Sequence, residues 1–250
     1  MKNKKSIVIT LSLIILVGVL MGVIFNKKET NKEKLIMVTE VGFAPYEFYK
    51  GNEVVGVDVE VAKKIAEKLG KELEIKDTDF DSIINEVKTG KADFAAAGLS
   101  ITEERKEEID FSIEYAVSKQ IIMVKNDSSI SSIDDLKGKK VAVQLGTVAD
   151  LVLSEEYPEV EVVQHKKFLV AVEDLLANKV DAIAFDLLPA QEVVNKNNEL
   201  KILEEELLTD KYGIAVQKGN TELLEVINQV LKEMMDNGEI EEYTIKYLGE

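Results

Sequence analysis

The sequence predicts an α/β protein built as two similar lobes joined by two crossing strands. From residue 35 onward, short apolar runs alternate with amphipathic helical stretches, which is typical of mostly parallel sheets flanked by helices. The same alternation begins again near residue 140. Between the two blocks lies an extended stretch, 115–125, which has no turn residues and is suited to cross from one lobe to the other.

The first block is predicted to hold three strands and two helices. Asp58 is placed to cap the first helix, in which apolar residues recur at helical spacing, and Gly70 ends it. The predicted strands span 35–39, 73–76 and 92–97, and the second helix spans 81–89.

The second block repeats this scheme. Its predicted strands span 140–145, 160–164 and 181–185, and its predicted helices span 148–154, 168–176 and 189–196. A last strand at 213–217 precedes a long helix at 221–236.

Tyr212 and Gly213 mark the return crossing, so the C-terminal helices are expected to rejoin the first lobe. Two crossings are the layout of a hinged clamp. The predicted boundaries are 1–31 for an N-terminal segment and linker, 32–116 plus 213–250 for lobe 1, and 117–212 for lobe 2.

An internal repeat supports the duplication of the lobes. Residues 90–98 (GKADFAAAG) and 178–186 (NKVDAIAFD) share a pattern in which a tight turn is followed by an Asp and a strand of small residues. Gly98 and Asp186 therefore occupy equivalent carboxyl ends of strands, where open α/β sheets bind ligands.

The N-terminal segment is predicted to direct the chain to the membrane. Lysines precede and follow an apolar run of nineteen residues, 7–25. A helix of that length spans roughly 28 Å, close to the thickness of one hydrocarbon core, and its positive end stays cytoplasmic. We favour an uncleaved anchor at the outer face of the cytoplasmic membrane. The alternative is a signal cleaved near the poorly matching residues 20–22, which would leave a secreted protein.

Composition excludes several classes of function. Lys and Arg total 31 against 47 Asp and Glu, and the net charge is -16. Residues 1–31 carry five of the lysines and one glutamate, so the remainder has a net charge of -20 and is not expected to bind nucleic acid. Without Cys and with His165 as the single histidine, we expect no metal site, no cofactor and no Ser/His/Asp triad.

Arg105 is the one arginine among 31 basic residues. Arginine differs from lysine where a planar fork meets a carboxylate, which suggests a carboxylate anchor facing a cleft. Thr102 is predicted to cap the short helix that carries it. The alternative is a surface arginine paired with Glu103, Glu104 or Glu108.

Several sequence blocks, in consistent order, resemble those of a known family. Residues 97–105 (AGLSITEER) with 109–112 (IDFS) resemble the signature of the polar amino-acid solute-binding proteins, the family 3 extracytoplasmic receptors of ABC importers. The further matching blocks are 43–48 (FAPYEF), 56–60 (GVDVE), 135–139 (DLKGK), 144–147 (QLGT) and 180–182 (VDA) with Asp186.

The resemblance implies a type 2 periplasmic-binding-protein fold and a function in transport. Such a protein binds a polar L-amino acid between its lobes and delivers it to a membrane permease and its ATPase. It is expected to be a monomer and not an enzyme. Two alternatives on the same fold are a small-molecule dehydratase, for which Glu40 is the one obvious acid or base in the cleft, and a sensory ligand-binding module.

The resemblance also implies how the backbone groups of the ligand are held. Arg105 would bind the ligand carboxylate, with backbone N–H groups at Thr147, and Asp186 would bind the ammonium with the Gly98 carbonyl and the Ser100 hydroxyl. Thr147 and Asp186 can also be explained as plain helix N-caps.

The ligand side chain is expected to meet four residues. By resemblance, Phe43 and Phe80 would enclose it, while Glu40 and Gln144 would bind its distal polar group. This combination favours arginine, with glutamine or lysine next. His165 is interpreted as an exposed loop residue, and the acidic run 204–206 as a solvated face.

Overall fold

The structure is a computed structural model that describes residues 33–249. The strands, numbered in chain order, are β1 (Lys34–Thr39), β2 (Phe48–Lys50), β3 (Glu53–Val55), β4 (Glu72–Asp77), β5 (Phe94–Ala95), β6 (Ile109–Phe111), β7 (Ala116–Lys125), β8 (Lys140–Gln144), β9 (Glu161–His165), β10 (Ala182–Asp186), β11 (Leu200–Tyr212) and β12 (Ala215–Gln217). The helices are α1 (Val57–Leu69), α2 (Ile83–Lys88), α3 (Glu103–Glu108), α4 (Val148–Glu156), α5 (Phe168–Leu176), α6 (Leu187–Lys196), α7 (Thr221–Asp236) and α8 (Glu239–Tyr247).

Two five-stranded sheets form the centres of two lobes. The sheet of lobe 1 has the order β4-β1-β5-β12-β6, and the sheet of lobe 2 has the order β11-β7-β10-β8-β9. The strands β2 and β3 pair separately as a hairpin. The predicted α/β fold with two lobes and helices on the sheets is therefore present.

The sheets are mixed rather than mostly parallel. In lobe 1, β1 pairs in parallel with β4 and β5, and in lobe 2, β8 pairs in parallel with β9 and β10. The antiparallel pairings are made by β7, β11 and β12. The regular alternation in the sequence thus predicted the strands that pair in parallel. The strands at or next to the crossings, β7, β11 and β12, add the antiparallel pairs.

The two crossings run side by side. The strands β7 and β11 are antiparallel neighbours in lobe 2, and their pairing reaches Ala116 opposite Tyr212. Tyr115 N–H donates to the Tyr212 carbonyl at 3.1 Å, which extends the ladder beyond the sheet. The chain enters and leaves lobe 2 at this point. The lobe boundaries at 116–117 and 212–213 remain a prediction that agrees with this pairing.

The internal repeat has the same backbone role in both lobes. Gly90 and Asn178 both adopt positive φ, at 70° and 57°. The following Asp93 accepts a hydrogen bond from Ile36 N–H at 2.7 Å. Asp181 does the same for Lys140 N–H at 2.8 Å. In each lobe this aspartate precedes a strand and bonds to the backbone of the neighbouring strand, β1 in lobe 1 and β8 in lobe 2.

Aromatic side chains fill the region where the lobes meet. Phe43 of lobe 1 contacts Phe185 of lobe 2 edge to face, with ring centroids 5.6 Å apart. Phe185 stacks on Phe168, with a centroid distance of 3.6 Å, and Tyr46 packs against Tyr212 at 5.2 Å. Burial of these large rings stabilises the floor of the cleft between the lobes.

Two local predictions were wrong, and a third was confirmed. Asp58 does not cap α1, because the helix begins one residue earlier and its N-cap Gly56 receives no side-chain bond. His165 is the last residue of β9, with its side chain 15% exposed and 3.4 Å from Asp174, and not an exposed loop residue. The acidic run 204–206 is exposed as expected, but it lies within the long strand β11.

The predicted anchor at 7–25 lies outside the described residues. Within residues 33–249, no helix has both the length and the apolar character needed to cross a bilayer.

Candidate functional site

A cleft between the lobes collects the residues that sequence reasoning selected. It lies at the carboxyl ends of β1 and β5 in lobe 1 and of β8 and β10 in lobe 2, where α/β sheets present ligand sites. The predicted site residues that line it are Glu40, Phe43, Phe80, Gly98, Ser100, Gln144, Thr147 and Asp186. Arg105 is not one of the lining residues, but it donates a hydrogen bond to the carbonyl of Ser100, which is.

Arg105 is buried and joins the two lobes. It lies on α3, where Thr102 Oγ1 caps the helix by accepting from Arg105 N–H at 3.2 Å, as predicted. The side chain donates from Nη1 to the Ser100 carbonyl at 2.7 Å and from Nη2 to the Gly146 carbonyl of lobe 2 at 2.9 Å. The alternative of a surface arginine is wrong, because only 5% of the residue is exposed.

The Arg105 charge has no ionic partner among residues 33–249. No carboxylate there forms a salt bridge with it; Glu103, a suggested partner, pairs with Lys106 at 2.8 Å instead. Burial lowers the pKa of Arg105 to about 10, against the opposing effect of Asp210. The guanidinium therefore stays charged at neutral pH. It has five N–H donors, so donors remain for an anion after the two carbonyl contacts.

Asp186 is the buried acid on the opposite lobe. It is the last residue of β10 and only 5% exposed. Ser118 Oγ and Gln120 Nε2 each donate to its Oδ1 at 2.7 Å, and Tyr212 OH donates to the same oxygen. Oδ2 receives no hydrogen bond from the described residues. The side chain does not cap α6, so the capping explanation of this aspartate is wrong.

Burial raises the pKa of Asp186 to about 7, and the neighbouring Asp210 carboxylate adds to the shift. The hydrogen bonds to Oδ1 act in the opposite direction. Sequence reasoning missed Asp210, which lies on β11 and accepts a hydrogen bond from the Ser100 hydroxyl. Its position two residues before the return crossing was the available signal. The Ser100 hydroxyl, which was expected to contact the ligand ammonium, thus donates to Asp210 of β11 in this structure.

Gly98 is held in a conformation that only glycine adopts without strain. Its φ is +52°, and an added Cβ would lie 2.4 Å from Cε1 of Phe43. Gly98 N–H donates to Asp58 at 3.0 Å, and Tyr115 OH donates to the same carboxylate at 2.7 Å. This explains why Asp58 is buried instead of capping a helix. The Asp58 carboxylate holds the turn that carries Gly98 in place through these hydrogen bonds.

Buried acids extend beneath this turn. Glu47, which sequence reasoning missed, also lines the cleft. Burial raises the pKa of Glu47 well above its ordinary range, and the nearby Asp58 carboxylate adds to the shift. The motif at 43–48 contained this residue, but nothing in its local sequence indicates burial.

Glu40 and Gln144 meet across the far end of the cleft. Gln144 Nε2 donates to Glu40 Oε2 at 2.7 Å, and Lys167 Nζ lies 2.9 Å from Glu40 Oε1. Burial raises the pKa of Glu40, while the bonds from Lys167 and Gln144 oppose the rise. Sequence reasoning missed Lys167, which precedes α5 and is far from Glu40 along the chain.

Thr147 and the two phenylalanines have structural partners of their own. Thr147 caps α4, because its Oγ1 accepts from Asp150 N–H at 3.4 Å and donates to the Gln144 carbonyl at 2.8 Å. Phe43 belongs to the aromatic floor, and Phe80 lies beneath Arg105, whose Cζ is 5.7 Å from the ring centroid. All three also line the cleft.

The fold and this site define a two-lobe binding protein, in which Asp186 lines a cleft between the lobes and the buried Arg105 bonds to Ser100 of the same lining. A family model, bacterial extracellular solute-binding proteins, family 3, matches residues 35–250, and the chain belongs to this family. The resemblance and the fold class predicted from the sequence are thereby confirmed. The proteins of this family bind solutes, so the chain is a binding protein and not an enzyme.

Relatives cover nearly the whole described chain. The arginine-binding extracellular protein ArtP of Bacillus subtilis (strain 168) is 35% identical over 223 residues, 88% of each chain. The L-cystine-binding protein TcyJ of Escherichia coli (strain K12) is 31% identical over 226 residues, 89% of this chain and 85% of that protein. The crystal structure of a mutant of ArgBP from T. maritima superposes with a TM-score of 0.83 at 40% identity, covering 87% of this chain and 96% of that one.

Proposed function

We propose that this chain binds a polar L-amino acid between its lobes outside the cytoplasmic membrane and delivers it to an ABC permease with its ATPase. Arginine is the favoured ligand, with glutamine or lysine next. The relatives named for arginine and for cystine support an amino-acid ligand.

The observation that carries the proposal is a pair of buried, opposite charges without ionic partners. Arg105 and Asp186 are each 5% exposed, and among residues 33–249 neither forms a salt bridge. A buried charge is costly unless it is paired. The carboxylate and the ammonium of one α-amino acid neutralise both charges at once, whereas a ligand with a single charge leaves one of them exposed to that cost.

Each group has unused hydrogen-bonding capacity for its partner. The guanidinium of Arg105 retains unused donors, and a planar fork binds a carboxylate with two parallel hydrogen bonds. Asp186 Oδ2 is free to accept from an ammonium, since the three donors around this acid all use Oδ1. Backbone N–H groups at the start of α4 beside Thr147 add to the carboxylate site.

The preference for arginine rests on the acid at the far end of the cleft. Glu40 is positioned for a distal donor group, and Gln144 beside it can both donate and accept. The guanidinium of arginine can form the most hydrogen bonds with Glu40 and Gln144. The amide of glutamine can form fewer, and the ammonium of lysine forms fewer directed bonds. Phe43 and Phe80 flank the path between the two ends.

Binding is coupled to closure of the lobes. The ligand would touch Arg105 on lobe 1 and Asp186 on lobe 2, so it favours the closed arrangement by differential contact. In the proposed setting, the segment 7–25 anchors the protein at the outer membrane face, and a monomer meets the permease.

Calorimetric titration of the full chain in detergent tests the proposal with three matched ligands. These are arginine, agmatine, which lacks the carboxylate, and 5-guanidinovaleric acid, which lacks the ammonium. We expect each analogue to bind at least about a hundredfold more weakly, since hydrogen bonds to charged groups contribute roughly 1.5–3 kcal/mol each. Equal affinity for all three, or no binding of any amino acid, contradicts the proposed function.

A further inference from the structure

We propose that Lys167 is a specificity-determining residue, because its ammonium group holds the Glu40 carboxylate and competes for it with a cationic ligand side chain. This role rests on the proposed function, in which Glu40 receives the distal group of the ligand. Nothing in the local sequence marks Lys167, since its contact with Glu40 exists only where the two lobes meet.

The contact is direct and involves an acid that lines the cleft. Lys167 Nζ lies 2.9 Å from Glu40 Oε1, and Gln144 Nε2 lies 2.7 Å from Glu40 Oε2. Each oxygen of the acid thus already has a donor from lobe 2. The Glu40 side chain is only 8% exposed, whereas that of Lys167 is 40% exposed. The lysine therefore reaches from the rim to a buried carboxylate.

Both signs of charge are present at this end of the cleft without a ligand side chain, because Asp77 and Asp79 lie beside the pair of Glu40 and Lys167. Among residues 33–249, Lys167 is the one cation that forms a salt bridge with Glu40. Because burial disfavours the charged form of this acid, loss of that cation would be costly. Asp79 lies 3.4 Å from the same ammonium and 3.0 Å from that of Lys166. A cationic side chain entering here must share the Glu40 carboxylate with Lys167, an ammonium of its own sign.

A neutral side chain is treated differently. A urea or an amide can donate to Glu40 without repelling Lys167, and the acid remains compensated while it does so. Removing the Lys167 charge therefore has opposite effects on the two kinds of ligand. It relieves repulsion for a cationic side chain, and it leaves Glu40 without an ionic partner when the side chain is neutral.

Lys166 provides a matched control. It is the preceding residue, it also joins the lobes through Asp79, and its side chain is 66% exposed. Its ammonium makes no bond to Glu40. Replacing Lys166 removes one charge and its ion pair with Asp79, and replacing Lys167 removes one charge and its ion pairs with Glu40 and Asp79. Only the change at Lys167 alters the acid that meets the ligand.

The test compares arginine with citrulline, its neutral isostere, on the full chain in detergent. Dissociation constants are measured by calorimetry for the wild type, Lys167→Met and Lys166→Met. We expect the ratio of the citrulline constant to the arginine constant to rise about tenfold in Lys167→Met, from the loss of one nearby like charge. The ratio in Lys166→Met should equal that of the wild type.

The ratio separates specificity from closure. If Lys167→Met changes both constants by the same factor, Lys167 only helps to close the lobes, and the proposed role is overturned. A fall in the ratio, or an equal rise in Lys166→Met, also overturns it. Failure of the proposed function is visible separately, because the wild type would then bind neither arginine nor any other amino acid.

Discussion

Arg105 of lobe 1 and Asp186 of lobe 2 are buried opposite charges that form no ion pair with each other. Burial lowers the pKa of Arg105, and the Asp186 carboxylate is one of the acids that oppose this shift. The hydrogen bonds to Asp186 nevertheless come from neutral donors. Among residues 33–249, the Arg105 guanidinium in turn bonds only to carbonyl oxygens. This arrangement suits a zwitterion that bridges the two charges, and it underlies the predictions that follow.

Replacing Arg105 with lysine should weaken the binding of arginine by more than about tenfold, although the charge is kept. Lysine loses the planar fork and cannot bond at the same time to the Ser100 and Gly146 carbonyls and to a carboxylate. Calorimetry measures the effect. Lys106→Arg, on the same helix, should bind as the wild type does. An unchanged affinity in Arg105→Lys would remove this residue from the site.

Asp186→Asn should reduce amino-acid binding strongly without lowering the melting temperature measured in the absence of amino acid. The acid caps no helix, and burial disfavours its charged form, so an amide of the same shape is tolerated. Asn220→Ala provides the contrast, because Asn220 does cap α7 by accepting from Leu223 N–H. That change should cost about 1 kcal/mol of unfolding free energy. A comparable loss in Asp186→Asn would favour a structural role.

Affinity for an amino acid should increase with pH up to neutrality. The pKa of Asp186 is raised to about 7, so below that value an ammonium must displace a proton from this carboxyl. Affinity should rise by up to about tenfold per pH unit below pH 7 and level off above it. Calorimetry in two buffers of different ionisation enthalpy measures the released proton.

The same shift affects stability with the opposite sign. Because the folded protein holds this proton more tightly than the unfolded chain, the contribution of Asp186 to stability falls as pH rises from about 4 to about 7. Asp210→Asn should move both effects to lower pH, since the Asp210 carboxylate contributes to the raised pKa. A pH profile that Asp210→Asn leaves unchanged would contradict this assignment.

Gly98→Ala should destabilise the protein by about 1–3 kcal/mol and weaken binding, because the new Cβ meets Phe43 at a backbone angle that disfavours alanine. Gly90→Ala is a matched control. Its φ is also positive, at +70°, but the nearest atom to its Cβ is 3.8 Å away. Denaturant unfolding should show a smaller loss for Gly90→Ala. Equal losses of unfolding free energy in the two variants would mean that the contact with Phe43 does not contribute to the effect.

Local pattern predicted those parts of the fold that are regular. The repeat at 90–98 and 178–186 identified matching strand starts, and Asp93 and Asp181 have matching backbone partners. The long strand β11 was missed because its pairing with β7 shifts register around Glu206, which breaks the alternation of buried and exposed residues.

Site residues were predictable where composition or a motif marked them. Arg105 was unusual as the one arginine of the chain, and the structure places it between the lobes. Asp58 was misassigned because its partners, Gly98 and Tyr115, are distant in sequence. Lys167 was missed for a related reason, since its contact with Glu40 forms only when the lobes meet.

A crystal structure of the full chain grown with arginine tests the central claim most directly. We expect the ligand carboxylate on the Arg105 guanidinium and the ligand ammonium within hydrogen-bond distance of Asp186 Oδ2. A ligand bound elsewhere, or a bound arginine whose carboxylate and ammonium contact neither residue, would contradict it.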